Sequence, residues 1–188
     1  AILVREPGAT PLGDYVRDWI KRDSRTVPLA ELFLFEAARA QLIQTVVKPA
    51  LAEGRVVISD RFADSTLAYQ GYGRGVKLSD IQSANRIAAD GVRPDLTVLL
   101  DMDPGTALER VGNRPGLGTE STMGRVDDDQ QRRFEQESIA FHERVIKGFR
   151  ELAAAEPERW TVVDATQSAE EVAEAVWTAV EARLGRRA

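Results

Sequence analysis

The sequence predicts a doubly wound α/β fold on three observations. Short apolar runs end in carboxylates at Arg55–Asp60, Thr97–Asp101 and Trp160–Asp164, the pattern of parallel strands buried on both faces. Segments with apolar residues three and four apart lie between these runs and read as helices. Strand and helix therefore alternate, as they do when helices cover both faces of a parallel sheet. In such sheets ligands bind beyond the carboxyl ends of the strands, which is where the polar tails fall.

The elements follow in order. Ala1–Val4 reads as a further buried strand, stopped by the turn Arg5-Glu6-Pro7-Gly8. Leu12, Tyr15, Val16, Trp19 and Ile20 mark an amphipathic helix from Pro11 to Lys21. A second helix follows Pro28, runs through Leu32, Phe35, Ala38, Leu42, Val46 and Ala50, and stops at Gly54. Its apolar residues occupy more than one face, so it is expected to be largely buried or shared with a partner. Further helices are expected over about Leu78–Ala89, Thr106–Val111, Gln130–Ala154 and Ala169–Leu184. The stretch 113–128 has no apolar periodicity and is expected to form a mobile lid.

Length and composition bound the function. The chain has 188 residues, 43% hydrophobic and 29% charged. That fits one domain over residues 1–188, a size at which folding buries roughly 70% of the surface of the unfolded chain. With no Cys and one His, disulfides, thiolate metal sites and a zinc centre are not expected. The net charge of −5 argues against nonspecific binding to nucleic acid or to a membrane surface. No apolar run reaches the ~20 residues of a membrane span, and the sequence reads as cytoplasmic.

Several residues are candidates for chemistry. Arg5 and Glu6 place a cation and an anion at a strand end, in a turn shaped by Pro7 and Gly8, and read either as groups facing a crevice or as a charged surface turn. Asp60-Arg61 at another strand end reads either as a metal or water partner beside a phosphate-binding guanidinium, or as a structural ion pair. Phe35 and Arg39 stand four apart on one helix face and read either as an aromatic plane beside a planar donor fork, suited to a nucleobase, or as a core phenylalanine with a snorkelling arginine. Thr66, Tyr69 and Gln70 have helical spacing, and the Gly71–Gly75 segment after them reads as a flexible basic loop. His142 lacks a motif and reads as a surface or partner-facing residue.

Six segments occur together in one order: Arg5-Glu6-Pro7-Gly8, Leu34-Phe35-Glu36-Ala37-Ala38-Arg39, Asp60-Arg61-Phe62, Ser65-Thr66-Leu67-Ala68-Tyr69-Gln70-Gly71, Arg93-Pro94-Asp95-Leu96-Thr97 and Arg133-Phe134-Glu135-Gln136-Glu137. On these the chain resembles bacterial thymidylate kinases over essentially its whole length. The resemblance implies a nucleoside monophosphate kinase domain of P-loop kinase type, a parallel sheet flanked by helices. It would transfer phosphate from ATP to dTMP, giving dTDP, with Mg²⁺, as a homodimer joined through its long helices.

The resemblance also implies roles. Phe35 would stack on the thymine ring and Arg39 bond a ring carbonyl, with Thr66 and Gln70 completing polar contacts to the base. Tyr69 would crowd the sugar and favour deoxyribose. Arg17 and Arg61 would hold the acceptor phosphate, with Arg5 nearby. Asp60 and Glu6 would organise magnesium and its waters. The turn from Asp164 to Gln167 would lie beside the ATP adenine. A lid arginine would supply the last cation, with Arg114 first, then Arg125 and Arg133. The rival readings are another nucleoside monophosphate kinase and a nucleotide-binding protein that does not transfer phosphate.

Three departures from the family pattern are visible. Ala9 stands where a second glycine is usual, and Glu36 where a small residue is common. The phosphate-binding Gly-Lys pair does not occur in the sequence. The family carries it in a strand, loop and helix upstream of Arg5-Glu6-Pro7-Gly8, so roughly 25 to 35 residues are expected ahead of Ala1, the size of a strand–loop–helix unit. In the family order 2-3-1-4-5 that strand would lie between the one ending at Asp60 and the one ending at Asp101.

Overall fold

Among the described residues, four short parallel strands form where the apolar runs lie. The computed structural model describes residues 1–22, 25–112 and 137–185. β1 (Ile2–Val4) pairs in parallel with β2 (Val57–Ser59), with Ile2 opposite Val57 and Val4 opposite Ser59. β3 (Thr97–Asp101) pairs in parallel with β4 (Trp160–Asp164), and Asp101 lies opposite Asp164. These are two separate two-stranded sheets. Among the described residues no strand pairs with both β2 and β3, the neighbours between which the expected order sets a further strand.

Each helix has a local cause. α1 (Pro11–Arg22) starts with proline at its first position, where a missing N–H costs nothing, and Thr10 Oγ1 accepts the Gly13 N–H at 3.0 Å. α2 (Pro28–Leu42) also begins with proline and continues through a π-helical stretch, Ile43–Val47, into α3 (Lys48–Ala52). Pro49 explains the wider turn, because a proline inside a helix has no N–H to donate and crowds the carbonyl four residues back. Gly54, at φ +72°, ends the helix as its sequence position predicts.

α4 (Ala63–Thr66) passes into a second π-helical stretch, Leu67–Gly73. The expected flexible loop at Gly71–Gly75 is thus corrected at its first half. Gly71 and Gly73 are buried, and a Cβ on Gly73 would lie 2.6 Å from Phe141 Cε2. The glycines are there because helices pack closely against them. α5 (Leu78–Ala89) ends at Asp90 and Gly91, both left-handed.

α6 (Pro104–Gly112) precedes the segment expected to be the lid, which lies outside the described residues. α7 (Ile139–Ala155) begins later than the expected Gln130: Ser138 caps it by accepting the Phe141 N–H, so Glu137 and Ser138 are not helical. α8 (Ala169–Leu184) opens on a reciprocal cap between Ser168 and Glu171.

α7 packs on the Leu67–Gly73 stretch and on β3 and β4, while α2 packs on α1 and α5. Val4, Leu42, Ile43 and Val47 form the core beneath β1 and β2, and Ala68, Phe141 and Val145 form the one beneath α7. Among the described residues no helix is long and apolar enough to cross a membrane.

The turn after β1 is held by close backbone contact. The Glu6–Pro7 peptide is cis, and Gly8 and Ala9 have φ of +146° and +59°. A Cβ on Gly13 would lie 2.7 Å from the Gly8 carbonyl oxygen and 2.8 Å from its nitrogen. Backbone cannot yield as a side chain can. Gly13→Ala should therefore lose about 1–3 kcal/mol of stability, read from denaturant unfolding, with a loss of activity as the turn shifts. Unchanged stability would show that the contact is loose.

Candidate active site

The register of β1 on β2 sets two polar turns side by side. Val4 lies opposite Ser59, so Arg5-Glu6 and Asp60-Arg61 leave the sheet at the same end. Asp60 Oδ1 accepts the Glu6 backbone N–H at 2.9 Å. Asp60 and Arg61 form no ion pair with each other, which removes that structural reading. Asp60 instead ties the two strand ends together.

Glu6 is buried, and its Oε2 accepts from Arg39 Nε at 2.9 Å. Arg39 is the largest fully buried side chain among the described residues, only 2% exposed. Its Nη1 donates to Glu36 Oε1 at 2.8 Å and to Asn85 Oδ1 at 2.6 Å, and its Nη2 donates to Thr66 Oγ1 at 2.9 Å. Phe62 lies against the same guanidinium, 5.4 Å from ring centre to Cζ. Four segments of chain converge on this one cation.

Burial pushes the Glu6 carboxyl up to about 7 from its ordinary 4.5; Arg39 opposes the shift, while Glu36 and Asp60 add to it. Glu36 is also raised, chiefly by burial. Glu6 Oε1 is buried and has no hydrogen-bond partner among the described residues. A carboxylate oxygen so placed, with Asp60 adjoining, fits a magnesium ion that keeps most of its waters and takes one or two carboxylates. Among the described residues no group of three or more acidic or histidine side chains forms a closed metal cage.

Around this cluster the other expected residues divide. Arg17 Nη1 donates to the Pro7 carbonyl at 3.3 Å, beside the Glu6 turn. Arg61 is exposed, its guanidinium 4.7 Å from the Tyr69 ring centre and its Nη2 3.5 Å from the Tyr69 hydroxyl. The Tyr69 ring is fixed by Phe141 and Phe149, at 6.2 and 6.1 Å. Gln70 is buried and spends its amide on Glu31, at 2.8 Å. Arg5 pairs with Asp14 at the surface. Phe35 is half-buried against Val16, Ile20 and Ala38.

A second group sits at the end of β4. Asp164 Oδ1 accepts from the Thr166 N–H and hydroxyl, at 2.8 and 2.7 Å, which holds its carboxyl below the usual range. Arg110 grips the same turn through the carbonyls of Ala165 and Thr166, at 2.6 and 2.9 Å. Gln167 is exposed beside it. A cavity of about 460 Å³ touches both groups, lined by Tyr69, Asp101, Arg110, His142, Phe149 and Ala165 among others. His142 is therefore not a surface residue: it is half-buried on the face of α7 that carries Val145, Ile146 and Phe149. Arg114, Arg125 and Arg133 lie outside the described residues.

Sequence reasoning missed Asn85, Glu31 and Arg110. Asn85 had a signal, a polar residue on the face of α5 that buries Ile81, Ala88 and Ala89. The ion pair of Arg159 with Asp64, at 2.7 Å, had none, because it joins residues 95 positions apart.

Parallel strands whose carboxyl ends carry carboxylates and guanidinium groups beside a cavity are the arrangement of an α/β nucleotide kinase. The family model described as thymidylate kinase matches residues 1–176. Thymidylate kinase of Trichlorobacter lovleyi is 47% identical over 185 residues, covering 97% of this chain and 84% of that protein. The Solidesulfovibrio magneticus thymidylate kinase is 49% identical over 180 residues, covering 94% and 82%. The crystal structure of thymidylate kinase from Ehrlichia chaffeensis superposes with a TM-score of 0.68 at 30% identity, over 94% of this chain and 78% of that one. The chain belongs to the thymidylate kinase family.

The raised Glu6 carboxyl has a consequence for stability. Between pH 4.5 and about 7 the folded chain holds a proton on Glu6 that the unfolded chain has released. Stability should therefore fall as pH climbs through that window and level off above it, and Glu36 adds in the same sense. Urea unfolding at pH 5 and 7.5 should show a higher midpoint at pH 5, with the difference reduced in Glu6→Gln. An undiminished difference in that variant would move the effect to another group.

Proposed function

We propose that the chain transfers the γ-phosphoryl group of ATP to dTMP, giving dTDP, with magnesium. The observation that carries the reading is the convergence of Glu6, Asp60 and Arg39 beside the Arg61–Tyr69 pair, with Tyr69 lining a cavity that also takes in Arg110 of the clamped turn after β4. Acceptor nucleotide and ATP would meet across that cavity. Catalysis of phosphoryl transfer is mainly positioning and neutralisation of spread negative charge. Arg61 and Arg17 supply cations for the acceptor phosphate, and Tyr69, braced by two aromatic rings, fixes the space at the sugar. Magnesium, when bound, would neutralise charge on the transferring phosphate, held by Asp60 and Glu6 through water. The Asp164–Gln167 turn would lie at the ATP adenine.

On the base side we assign Phe35 to stacking, Arg39 and Thr66 to polar recognition, and Gln70 to bracing of the pocket wall through Glu31. The lid over 113–128, with Arg114, Arg125 and Arg133, completes the reading, as does a cytoplasmic location where both nucleotides are found. A second copy of the chain is the proposed partner. Tyr15, Trp19, Leu29 and Phe33 expose apolar surface on α1 and α2, and an open groove is lined by Trp19, Thr26, Ala30, Phe33 and Leu34. Apolar stripes of this kind on paired helices suit a symmetric interface.

Two measurements check these assignments. Arg61→Ala should keep its circular dichroism spectrum and lose at least about tenfold in turnover of dTMP, equal to ~1.4 kcal/mol in the barrier; a smaller loss would remove Arg61 from the phosphate site. Phe33→Glu should convert a dimer to a monomer in analytical ultracentrifugation. A wild-type monomer at micromolar concentration would refute the dimer.

A further inference from the structure

The buried cation at the centre of the site is held more tightly than charge balance requires. Two carboxylates, Glu6 and Glu36, face one guanidinium, and each keeps a buried oxygen with no hydrogen-bond partner among the described residues. Burying a second acid against a single cation is costly, and a neutral residue of similar size would be cheaper. Stability therefore does not account for Glu36. Geometry does.

A guanidinium carries five N–H donors in a rigid plane. In Arg39 the Nε hydrogen goes to Glu6, both Nη1 hydrogens go to Glu36 and Asn85, and one Nη2 hydrogen goes to Thr66. One Nη2 N–H is left. The four acceptors come from the turn after β1, from α2 itself, from α5 and from α4, so the plane is pinned from several sides. Asn85 is itself fixed, since its amide nitrogen donates to the Ala63 carbonyl at 3.1 Å, at the first residue of α4. Its carbonyl is thereby committed to Arg39.

We infer that Glu36 and Asn85 are positioning residues for base discrimination: by occupying both Nη1 hydrogens they lock the Arg39 fork so that its remaining Nη2 N–H meets a ring carbonyl of the nucleobase. The inference rests on the assignment of Arg39 to the base. It names the chemistry selected: an acceptor oxygen on the pyrimidine edge, as in thymine, against the amino group that cytosine carries at the equivalent position. A fixed N–H aimed at an amino group leaves two donors facing each other and unpaired. A guanidinium free to swing would escape that conflict, and selectivity would fall.

The experiment compares kcat/KM for dTMP and dCMP in the wild type and in Glu36→Ala, Glu36→Gln, Asn85→Ser and Arg39→Met, each checked by circular dichroism and thermal unfolding. Glu36→Ala and Asn85→Ser should lower the dTMP-to-dCMP ratio by about tenfold or more, mainly through KM for dTMP and gained turnover of dCMP. Glu36→Gln keeps an acceptor at Oε1 and should restore the wild-type ratio. Should Glu36→Ala fail to fold, Asn85→Ser carries the test. If Arg39→Met collapses the ratio while Glu36→Ala and Asn85→Ser leave it unchanged, positioning is refuted and the base assignment of Arg39 survives. If Arg39→Met leaves the ratio unchanged, the assignment itself falls and this inference with it. A rate loss equal for both nucleotides would likewise overturn it, as the mark of general structural damage.

Discussion

The Arg39 guanidinium is the constraint on which the rest of the site depends. It is buried to 2% exposure and bonded to Glu6, Glu36, Thr66 and Asn85. Those partners belong to the turn after β1, to α2, to α4 and to α5, so one side chain sets the relative placement of four segments. Leaving buried carboxylates without their cation costs about 3–5 kcal/mol, a large share of the roughly 5–15 kcal/mol that holds a domain folded. The surrounding packing follows from it. α5 must lie close enough for Asn85 to reach Arg39 and the Ala63 carbonyl together, and the turn after β1 must descend far enough to bury Glu6.

That descent is arranged by backbone rather than by side chains. Gly13 on α1 meets Gly8 so closely that no Cβ fits between them, and Ala9 takes a left-handed φ of +59°. A glycine is usual at that second position in the resembling family, and the observed φ gives the physical reason: only glycine adopts it without cost. Asp60 then closes the turn from the β2 side by accepting the Glu6 N–H. The strand register and these glycines together deliver a carboxylate to a buried cation while keeping one of its oxygens unspent.

Much of this was legible in the sequence, and the exceptions have physical causes. Strands ending in carboxylates followed from the short apolar runs and the helices between them from the three-and-four spacing, but burial on both strand faces did not: Leu3, Ile58, Leu100 and Val162 are exposed. The Glu6–Asp60 meeting was legible as two polar strand ends in one sheet. The pairing of Phe35 with Arg39 was not fully so. Four residues along a helix put both on one side, yet Phe35 packs toward Val16 and Ile20 on α1 while the long Arg39 side chain reaches Glu6, Thr66 and Asn85. Spacing fixes where a side chain starts and not where a long one ends. The π-helical stretches were hidden for another reason. Pro49 accounts for the first in local sequence; the second, Leu67–Gly73, packs against α7, and that contact is not written in local sequence. His142, lacking a motif, reads from sequence as surface or partner-facing; what decides its place is the stripe Val145, Ile146 and Phe149, which shares its face of α7.

One guanidinium serves both ends of the proposed reaction, and this has a consequence for how specificity and chemistry relate. Glu6 reaches Arg39 from the side assigned to magnesium and the acceptor phosphate, while Thr66 and Asn85 reach it from α4 and α5, the side assigned to the base. A nucleotide that engages the last Nη2 N–H therefore acts on a cation that also fixes the orientation of Glu6. The rigid plane of the guanidinium means that displacement at one edge is felt at the other, with no hinge between them to absorb it. On the proposed reading, a base that presents the wrong group would strain this locked plane, and Glu6 with it, and so would be disfavoured in the transfer step as well as in binding. Discrimination that acts on the transition state as well as on binding is what a pocket needs when the rival nucleotides differ by one polar group on an otherwise similar ring.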